Sequence, residues 1–225
     1  MNATNPAGAV LEGPATLPGR ITIEGLYVSL VPLDAVRHAQ ALWEGMGGGE
    51  NESLWRYMGD GPFLQRETFE AHLERKAAPD DPLLYTIVNR ASDRPAGLAA
   101  LMRIKPRHRV IEVGNIVYTS ALQRTREATE AMYLLARYVF EDLGYRRYEW
   151  KCNTLNEASQ RAARRLGFSF EGIFRQHMII KGRNRDTAWF AMLDSEWPAR
   201  KREFERWLEP SNFDEDGRQR TALGR

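Results

Sequence analysis

Residues 148–168 read YEWKCNTLNEASQRAARRLGF, and this stretch decides the predicted fold. Its first five residues alternate as a strand does. Asn156 is a favoured residue at a helix start, and Gly167 is favoured just beyond a helix end. Between them, apolar residues recur at helical spacing: Ala158, Ala162 and Leu166. The stretch therefore predicts a strand followed by a helix.

A second strand and helix precede this stretch. Val110 to Tyr118 reads as a strand, and a helix opens near Gln123 and stops at Gly144. Its apolar residues recur every three or four positions: Ala128, Met132, Leu135, Val139 and Leu143. A helix that joins two strands of one sheet makes these strands parallel, so residues 110–152 predict one parallel pair.

The remaining segments predict antiparallel strands and further helices. The predicted strands are Leu26–Leu33, Leu83–Asn89, Ala96–Ile104, and a hairpin of Phe168–Ile180 with Thr187–Leu193. The predicted helices are Ala35–Met46, one or two within Leu54–Lys76 broken by Gly59-Asp60-Gly61-Pro62, and Glu196–Leu208. The predicted fold is mixed α/β (α+β), with a mostly antiparallel sheet flanked by helices. We expect a flexible arm at residues 1–20, one domain at 21–208 and a polar tail at 209–225.

Composition excludes several classes of protein. The chain has 225 residues, of which 43% are hydrophobic and 28% charged, as in an ordinary globular domain. Its formal charge of +2 is not that of a nucleic-acid binder. One cysteine, no signal-like start and no long apolar run favour a cytoplasmic location without a membrane span. The four scattered histidines show no metal-ligand spacing, so no metal is expected.

The start of the helix near Gln123 is a candidate anion site. A helix start presents unpaired N–H groups and a partial positive charge, which suit a phosphate. Arg124 and Arg126 would add full charges. The alternative is a solvated first turn in which Glu127 and Glu130 offset the two arginines.

A family resemblance rests on residues 153–168. Asn153-Thr154-Leu155-Asn156-Glu157-Ala158-Ser159 and Leu166-Gly167-Phe168 resemble the signature of the GNAT superfamily of acyl-CoA N-acyltransferases. Phe170-Glu171-Gly172 and Phe174-Arg175 look like its branch of RimJ/RimL-like ribosomal-protein N-acetyltransferases. The order of elements agrees from about Thr22 to Leu208.

The resemblance implies a GNAT-like fold in which the strands 110–118 and 148–152 splay apart and hold acetyl-CoA. The pantetheine arm would pair with Val117 and Tyr118, and Asn153 and Asn156 would bond its amides. The pyrophosphate would meet the N–H groups of one run of residues: Gln123, Arg124, Thr125, Arg126, Glu127, Ala128 and Thr129. The asparagines could instead serve as turn former and helix cap.

The sequence departs from the family pattern in this loop. The pattern is Gln/Arg-x-x-Gly-x-Gly/Ala, and Arg126 stands where the first glycine belongs. A side chain there can block or bend the phosphate site. The helix N–H groups remain, and the arginine could compensate through its charge.

Glu112 is the first candidate for the base that deprotonates an amine. It lies between Ile111 and Val113, where burial would raise its pKa, and family members often carry a glutamate on this strand. The alternative is a solvent-facing Glu112, or one paired with an arginine such as Arg103. His177 is a second candidate base, ranked below Glu112 because a lone histidine on a strand is more often structural.

Ser159 is the candidate donor to the departing thiolate. The tyrosine that serves many family members would fall at Ala163 here, so the resemblance transfers the role to Ser159, as in the Rim-type branch. Its alternative is a structural serine at a helix start. Cys152 is expected to be a buried thiol, and Trp43, Trp55, Tyr57 and Phe63 to belong to the core.

The resemblance thus predicts an acetyltransferase that acts by direct transfer in a ternary complex with acetyl-CoA and a primary amine, either a small molecule or a protein N-terminus. Longer acyl donors stay open, as does a homodimer. The alternative is a non-catalytic acyl-CoA-binding or regulatory module. A weaker one is an RNA-associated protein that uses basic side chains: Arg161, Arg164, Arg165, Arg183 and Arg185.

Overall fold

A computed structural model describes residues 13–224 of the chain. Within them, eight strands form one sheet in the order β1-β2-β3-β4-β5-β6-β8-β7. The strands are β1 Ile23–Glu24, β2 Val28–Pro32, β3 Leu83–Asn89, β4 Arg94–Lys105, β5 Val110–Tyr118, β6 Arg147–Asn153, β7 Ser169–Ile180 and β8 Arg183–Leu193. Neighbours are antiparallel except β5 and β6, which are parallel. The predicted mixed sheet with one parallel pair is confirmed.

Five α-helices occur in the described part of the chain: α1 Ala35–Met46, α2 Arg66–Ala77, α3 Arg126–Arg137, α4 Glu157–Arg165 and α5 Trp197–Leu208. A π-helical turn, Tyr138–Asp142, continues α3, and a 3-10 helix, Gly49–Trp55, follows α1. No helix between residues 13 and 224 has the length and apolar character needed to cross a lipid bilayer.

The helices cover both faces of the sheet with separate cores. On one face, α1 and α2 pack with Trp55 against strand residues such as Leu98 and Val117. On the other, α3, α4 and α5 pack over residues such as Ile111 and Trp150. We call these the α1/α2 face and the α3/α5 face. Because side chains alternate along a strand, each strand residue belongs to one face.

Three elements have the bounds that the sequence predicts: α1, β3 and β5. The two-residue strand β1 was not predicted, because two residues are too short to show a period. The predicted turn at residues 181–185 is wrong in length. β8 begins at Arg183, since Ile180 pairs with Arg183 across a tight turn at Lys181 and Gly182. Residues 183–186 are polar, so this end of β8 shows no alternation of apolar and polar residues.

The chain ends lie against the body where they are described. Residues 1–12 of the predicted arm lie outside the described residues. Farther on, Ala15 N donates to Pro106 O at 3.1 Å and Thr16 N donates to Leu143 O at 2.9 Å. Beyond α5, Phe213 and Leu223 are buried in the α3/α5 core, and the rings of Phe213 and Trp207 are 5.0 Å apart.

Glu130 ties α3 to the turn before β2. Its buried carboxylate accepts three backbone N–H groups, from Leu26 at 2.8 Å, Tyr27 at 2.6 Å and Val28 at 2.8 Å. A Cβ atom at Gly25 would lie 2.7 Å from this carboxylate, so the close approach requires glycine there. A charged acceptor shared by three buried donors fixes the height of α3 above the sheet.

We expect Glu130→Gln to lower the free energy of unfolding by about 2–3 kcal/mol, because a neutral amide cannot accept all three N–H groups and leaves buried donors unpaired. Glu157→Gln is the matched control. Glu157 pairs with Arg161 on the surface, so its loss should cost about 0.5 kcal/mol or less. Urea denaturation measures both, and equal effects would contradict the role of Glu130.

Candidate active site

The two parallel strands separate after a short zipped segment. Pairing runs from Val110 with Arg147 to Val113 with Trp150, and then stops although both strands continue. The cause lies on the other side of β5, where the register against β4 shifts by one residue around Asn115, which has a φ of 49°. An extra residue in one strand bends it away from its neighbour. Among the described strands, none fills the gap beyond Val113.

The gap opens toward the start of α3. Thr125 caps this helix, and its Oγ1 accepts the N–H of Ala128 at 3.1 Å. Gln123 N donates to Thr119 O at 3.2 Å. Of the N–H groups predicted to meet a phosphate, these two are therefore engaged within the protein. Those of Arg126 and Glu127 have no carbonyl four residues earlier in the helix, so these two N–H groups are not paired within α3.

Arg126 does not need the backbone freedom of a glycine. It is the first helical residue of α3, and the left-handed backbone of this loop falls at Arg124, with a φ of 63°. The Arg126 guanidinium carbon lies 4.3 Å from the centre of the Tyr27 ring and 5.6 Å from that of Phe213. The side chain is thus held on aromatic faces beside the loop.

The loop between β5 and α3 also borders a cavity of about 310 Å³ on its α1 side. Its lining includes Gly45 of α1, Ser92 of the β3–β4 turn, and Thr119 and Thr125 of the loop. Glu44 and Arg94, which form an ion pair, also line it. The loop is therefore open to small molecules on this side as well.

Glu112 and Lys151 meet at the point where the strands part. Lys151 Nζ lies 2.8 Å from Glu112 Oε2 and 2.7 Å from Glu149 Oε2, and all three side chains are at most 10% exposed. Arg103 Nε approaches the same Glu112 oxygen at 3.2 Å. Both the predicted burial of Glu112 and the alternative pairing with Arg103 are present. Its Oε1 has no ion pair within the described residues and lies beside Gly114.

The pKa values of the two carboxyl groups of this cluster, Glu112 and Glu149, are shifted in opposite directions. Burial raises the pKa of Glu112, although the charge and hydrogen bond of Lys151 and the charge of Arg103 oppose it. Burial acts in the same direction on Glu149, but hydrogen bonds from Lys151 and Arg147 outweigh it and lower the pKa of Glu149. Glu112 is therefore the better proton acceptor of the pair near neutral pH.

Aromatic side chains extend the site along β8. Lys151 Nζ lies 3.8 Å from the centre of the Trp189 ring, which also packs with Phe174 and His177. His177 Nδ1 is 3.0 Å from Thr187 Oγ1. Burial, together with the positive charges of Arg103, Arg185 and Lys151, lowers the pKa of His177. His177 is thus neutral near pH 7 and faces the same cluster as Glu112.

The segment from Trp55 to Tyr57 borders this region on the α1/α2 face, and we call it the wall. Tyr57 Oη donates to Leu155 O at 2.9 Å, and Lys181 Nζ donates to Trp55 O at 2.8 Å. The segment from Trp55 to Tyr57 therefore spans from the β7–β8 turn to the β6–α4 loop. Trp55 belongs to the α1/α2 core and Trp43 and Phe63 pack against it, as predicted. The prediction for Tyr57 is wrong, because its ring lies outside that core and its hydroxyl reaches across the site to Leu155.

Ser159 and the two asparagines lie on the β6–α4 side of the gap. Ser159 Oγ accepts from Trp150 Nε1 at 3.0 Å, and its hydroxyl also hydrogen-bonds to the Cys152 thiol. Asn156 Oδ1 caps α4 by accepting from Ser159 N at 3.1 Å, and Asn153 Oδ1 accepts from Leu155 N at 2.9 Å. Cys152 is buried, and burial raises the pKa of its thiol.

Sequence reasoning missed Lys151 and Trp189 as site residues, and it named Arg185 only among the basic side chains of the RNA-associated alternative. A signal for Lys151 exists, because Glu149 and Lys151 stand two apart on one strand and thus on one face. No signal indicated which neighbouring face they would meet, since the order of β6 and β8 is a tertiary property.

Comparisons with known proteins agree with this geometry. Residues 28–169 match the model of a family described as an acetyltransferase (GNAT) domain. No curated protein sequence matches the chain at a significant level. Many solved structures do match it.

A GCN5-related N-acetyltransferase from Brucella melitensis is 48% identical, with a TM-score of 0.91. The match covers 93% of this chain and 95% of that one. A protein from Chromobacterium violaceum ATCC 12472, described as a GNAT-family acetyltransferase, is 41% identical, with a TM-score of 0.80. The match covers 88% of this chain and 100% of that one. RimL, a ribosomal L7/L12 α-N-protein acetyltransferase solved with coenzyme A, shares the fold at 21% identity and a TM-score of 0.65, with coverage of 77% and 98%.

We expect Lys151→Met to lower the free energy of unfolding by about 3–5 kcal/mol at pH 7.5, because two buried carboxylates lose their shared cation. The loss should shrink toward pH 5, since the carboxylates take up protons once the cation is gone. The double variant Lys151→Met/Glu112→Gln should recover part of it. Urea denaturation at several pH values measures this, and a loss independent of pH would contradict the charge-based explanation.

Proposed function

Since this chain belongs to the GNAT acetyltransferase family, we propose that it moves an acetyl group from acetyl-CoA to a primary amine by direct transfer in a ternary complex. One observation supports this most strongly. A buried carboxyl group with a raised pKa lies where two parallel strands part, and the same gap leads to a helix start with unpaired N–H groups. Acyl transfer to an amine needs both a base and a site for the donor.

In this proposal, the donor lies along the unpaired edge of β5. The backbone of Val117 and Tyr118 pairs with β4 on one side and with no strand on the other, although Tyr118 O already accepts from Gln123 Nε2 at 3.2 Å. The phosphates meet the start of α3. Asn153 and Asn156 use their Oδ1 atoms within the protein, so their Nδ2 groups are the ones left to bond the pantetheine carbonyls.

The acceptor amine loses its proton to Glu112. Oε2 of Glu112 faces the two cations, so Oε1 is the atom we assign to the proton. The amine lone pair then attacks the thioester carbonyl carbon, the carbon–sulfur bond breaks, and the thiolate takes a proton. Ser159 can relay it: its hydroxyl gives its hydrogen to the thiolate and regains one from the amine nitrogen, which loses its second proton as the amide forms, while Trp150 Nε1 holds the Ser159 oxygen in place.

Several finer assignments remain proposals. The relatives at 41% and 48% identity support acetyl transfer, while RimL at 21% supports the fold alone, so membership of the RimJ/RimL branch rests on the sequence resemblance. The same holds for acetyl rather than a longer acyl group, for the choice between a protein N-terminus and a small amine, and for a homodimer. We also propose a cytoplasmic location, since the one cysteine is buried and unpaired.

We expect Glu112→Gln to lower kcat/KM by about 10²–10⁴-fold, the usual contribution of a general base, while the Kd of acetyl-CoA stays unchanged. In the wild type, kcat/KM should fall on the acid side as Glu112 takes up a proton, and this limb should vanish in the variant. Thiol release with a panel of amines and calorimetry with acetyl-CoA measure both.

His177→Gln is the matched control, and its kcat/KM should fall by less than about tenfold. If His177→Gln removed the acid limb and Glu112→Gln kept it, His177 would be the base. A wild type that binds acetyl-CoA but releases no thiol with any amine would favour the non-catalytic acyl-CoA-binding module.

We expect Arg126→Ala to leave the Kd of acetyl-CoA within about threefold, because its guanidinium lies on Tyr27 and Phe213 and the helix N–H groups persist. The variant should instead lower the melting temperature, since the cation–π contacts are worth about 0.5–2 kcal/mol. A much larger loss of affinity at unchanged stability would show that Arg126 turns to meet the phosphates.

A further inference from the structure

Arg185 is a partly buried cation without a partner among residues 13–224. Its side chain makes no hydrogen bond, ion pair or ring contact there, and its Nε atom is fully buried. Burying an unpaired charge costs free energy, and an arginine cannot escape the cost by losing its proton. Such a group lowers the stability of the fold unless a ligand pairs with it.

The charges around Arg185 already balance one another. Three acids and three bases form a continuous series of ion pairs: Glu171, Arg147, Glu149, Lys151, Glu112 and Arg103. Burial lowers the pKa of Arg185, and Arg185 lies close enough to Cys152, Glu112 and Arg103 for their charges to act on its pKa as well. No acid of the series is left over for it, so the site holds one positive charge in excess.

Arg185 shares a face with other groups of the site. Along β8, Arg185, Thr187 and Trp189 alternate with Ala188 and Phe190, which belong to the α3/α5 core. They therefore point to the α1/α2 face, where Glu112 and the wall lie. Trp189 Nε1 is a second buried donor without a partner in the described residues. Two unsatisfied donors on one face indicate a ligand with acceptor oxygens.

We propose that Arg185 binds a carboxylate of the acceptor, so that the substrate is an amine carrying an acid group, as an amino acid does. This inference rests on the proposed acetyl transfer. A guanidinium matches the two oxygens of a carboxylate in one plane. The phosphates of acetyl-CoA are the other source of anionic oxygens, but the proposed site for them is the start of α3, which packs on the opposite face.

The test compares the twenty amino acids with their amides as acceptors, in wild type and in Arg185→Met. For the preferred acceptor, the wild type should show a kcat/KM about tenfold or more above that of the amide, as expected for a charge-assisted hydrogen bond. In Arg185→Met, the KM of the acid should rise by a similar factor while the amide is unaffected. Arg185→Lys should retain part of the preference.

Three controls separate this role from a structural one. Arg183→Met removes an exposed charge from the same strand and should change nothing. The Kd of acetyl-CoA should be the same in Arg185→Met as in the wild type. The melting temperature of ligand-free Arg185→Met should be equal or higher, because an unpaired cation is replaced by an apolar side chain.

The proposal is overturned by equal activity on acids and amides, by a lower melting temperature of Arg185→Met, or by weaker acetyl-CoA binding, which would assign the anion to the donor. If no amine is acetylated, the melting temperature with CoA and each of the same acids and amides tests the carboxylate site instead. Stabilisation by acids alone that Arg185→Met abolishes would support the carboxylate site and reject acetyl transfer. Equal stabilisation by acids and amides would reject the carboxylate site.

Discussion

The separation of β5 from β6 is the constraint on which the site depends. Parallel strands normally stay paired because each unpaired N–H or C=O in the interior costs free energy. Here the bulge at Asn115 keeps β5 bonded to β4 while bending it from β6, so the backbone of β5 loses partners on one side only. This one bulge therefore sets the positions of three features relative to one another. They are the free edge of β5, the start of α3, and the side chains at the point where β5 and β6 part.

Opposite charges surround the buried carboxyl group of Glu112 at the point where β5 and β6 part. Lys151 lies between Glu112 and Glu149, and Arg147 and Arg103 stand at either end, so each charge has an opposite neighbour. Burial raises the pKa of Glu112, and the charges of Lys151 and Arg103 oppose this rise. Arg185 takes part in none of these ion pairs, and we propose that its charge instead meets a carboxylate of the acceptor.

The loop before α3 accommodates a departure from the family pattern without backbone strain at Arg126. The position expected to be glycine is helical in this chain, so an arginine fits without strain and finds a place on Tyr27 and Phe213. The left-handed residue of the loop is Arg124, two places earlier. What a phosphate would meet at this helix start is therefore mainly main chain, which a substitution alters little.

The sequence by itself determined the periodic elements, the strand-helix-strand unit with its parallel pair, and Glu112 as a carboxyl group flanked by buried neighbours. These features depend on spacing along the chain, which is local. It did not determine that Lys151 would meet Glu112, that Trp189 would pack on Lys151, or that Arg126 would lie on Tyr27 and Phe213. Those facts depend on which strands become neighbours and where an aromatic face lies within reach, and only the tertiary structure brings such distant residues together.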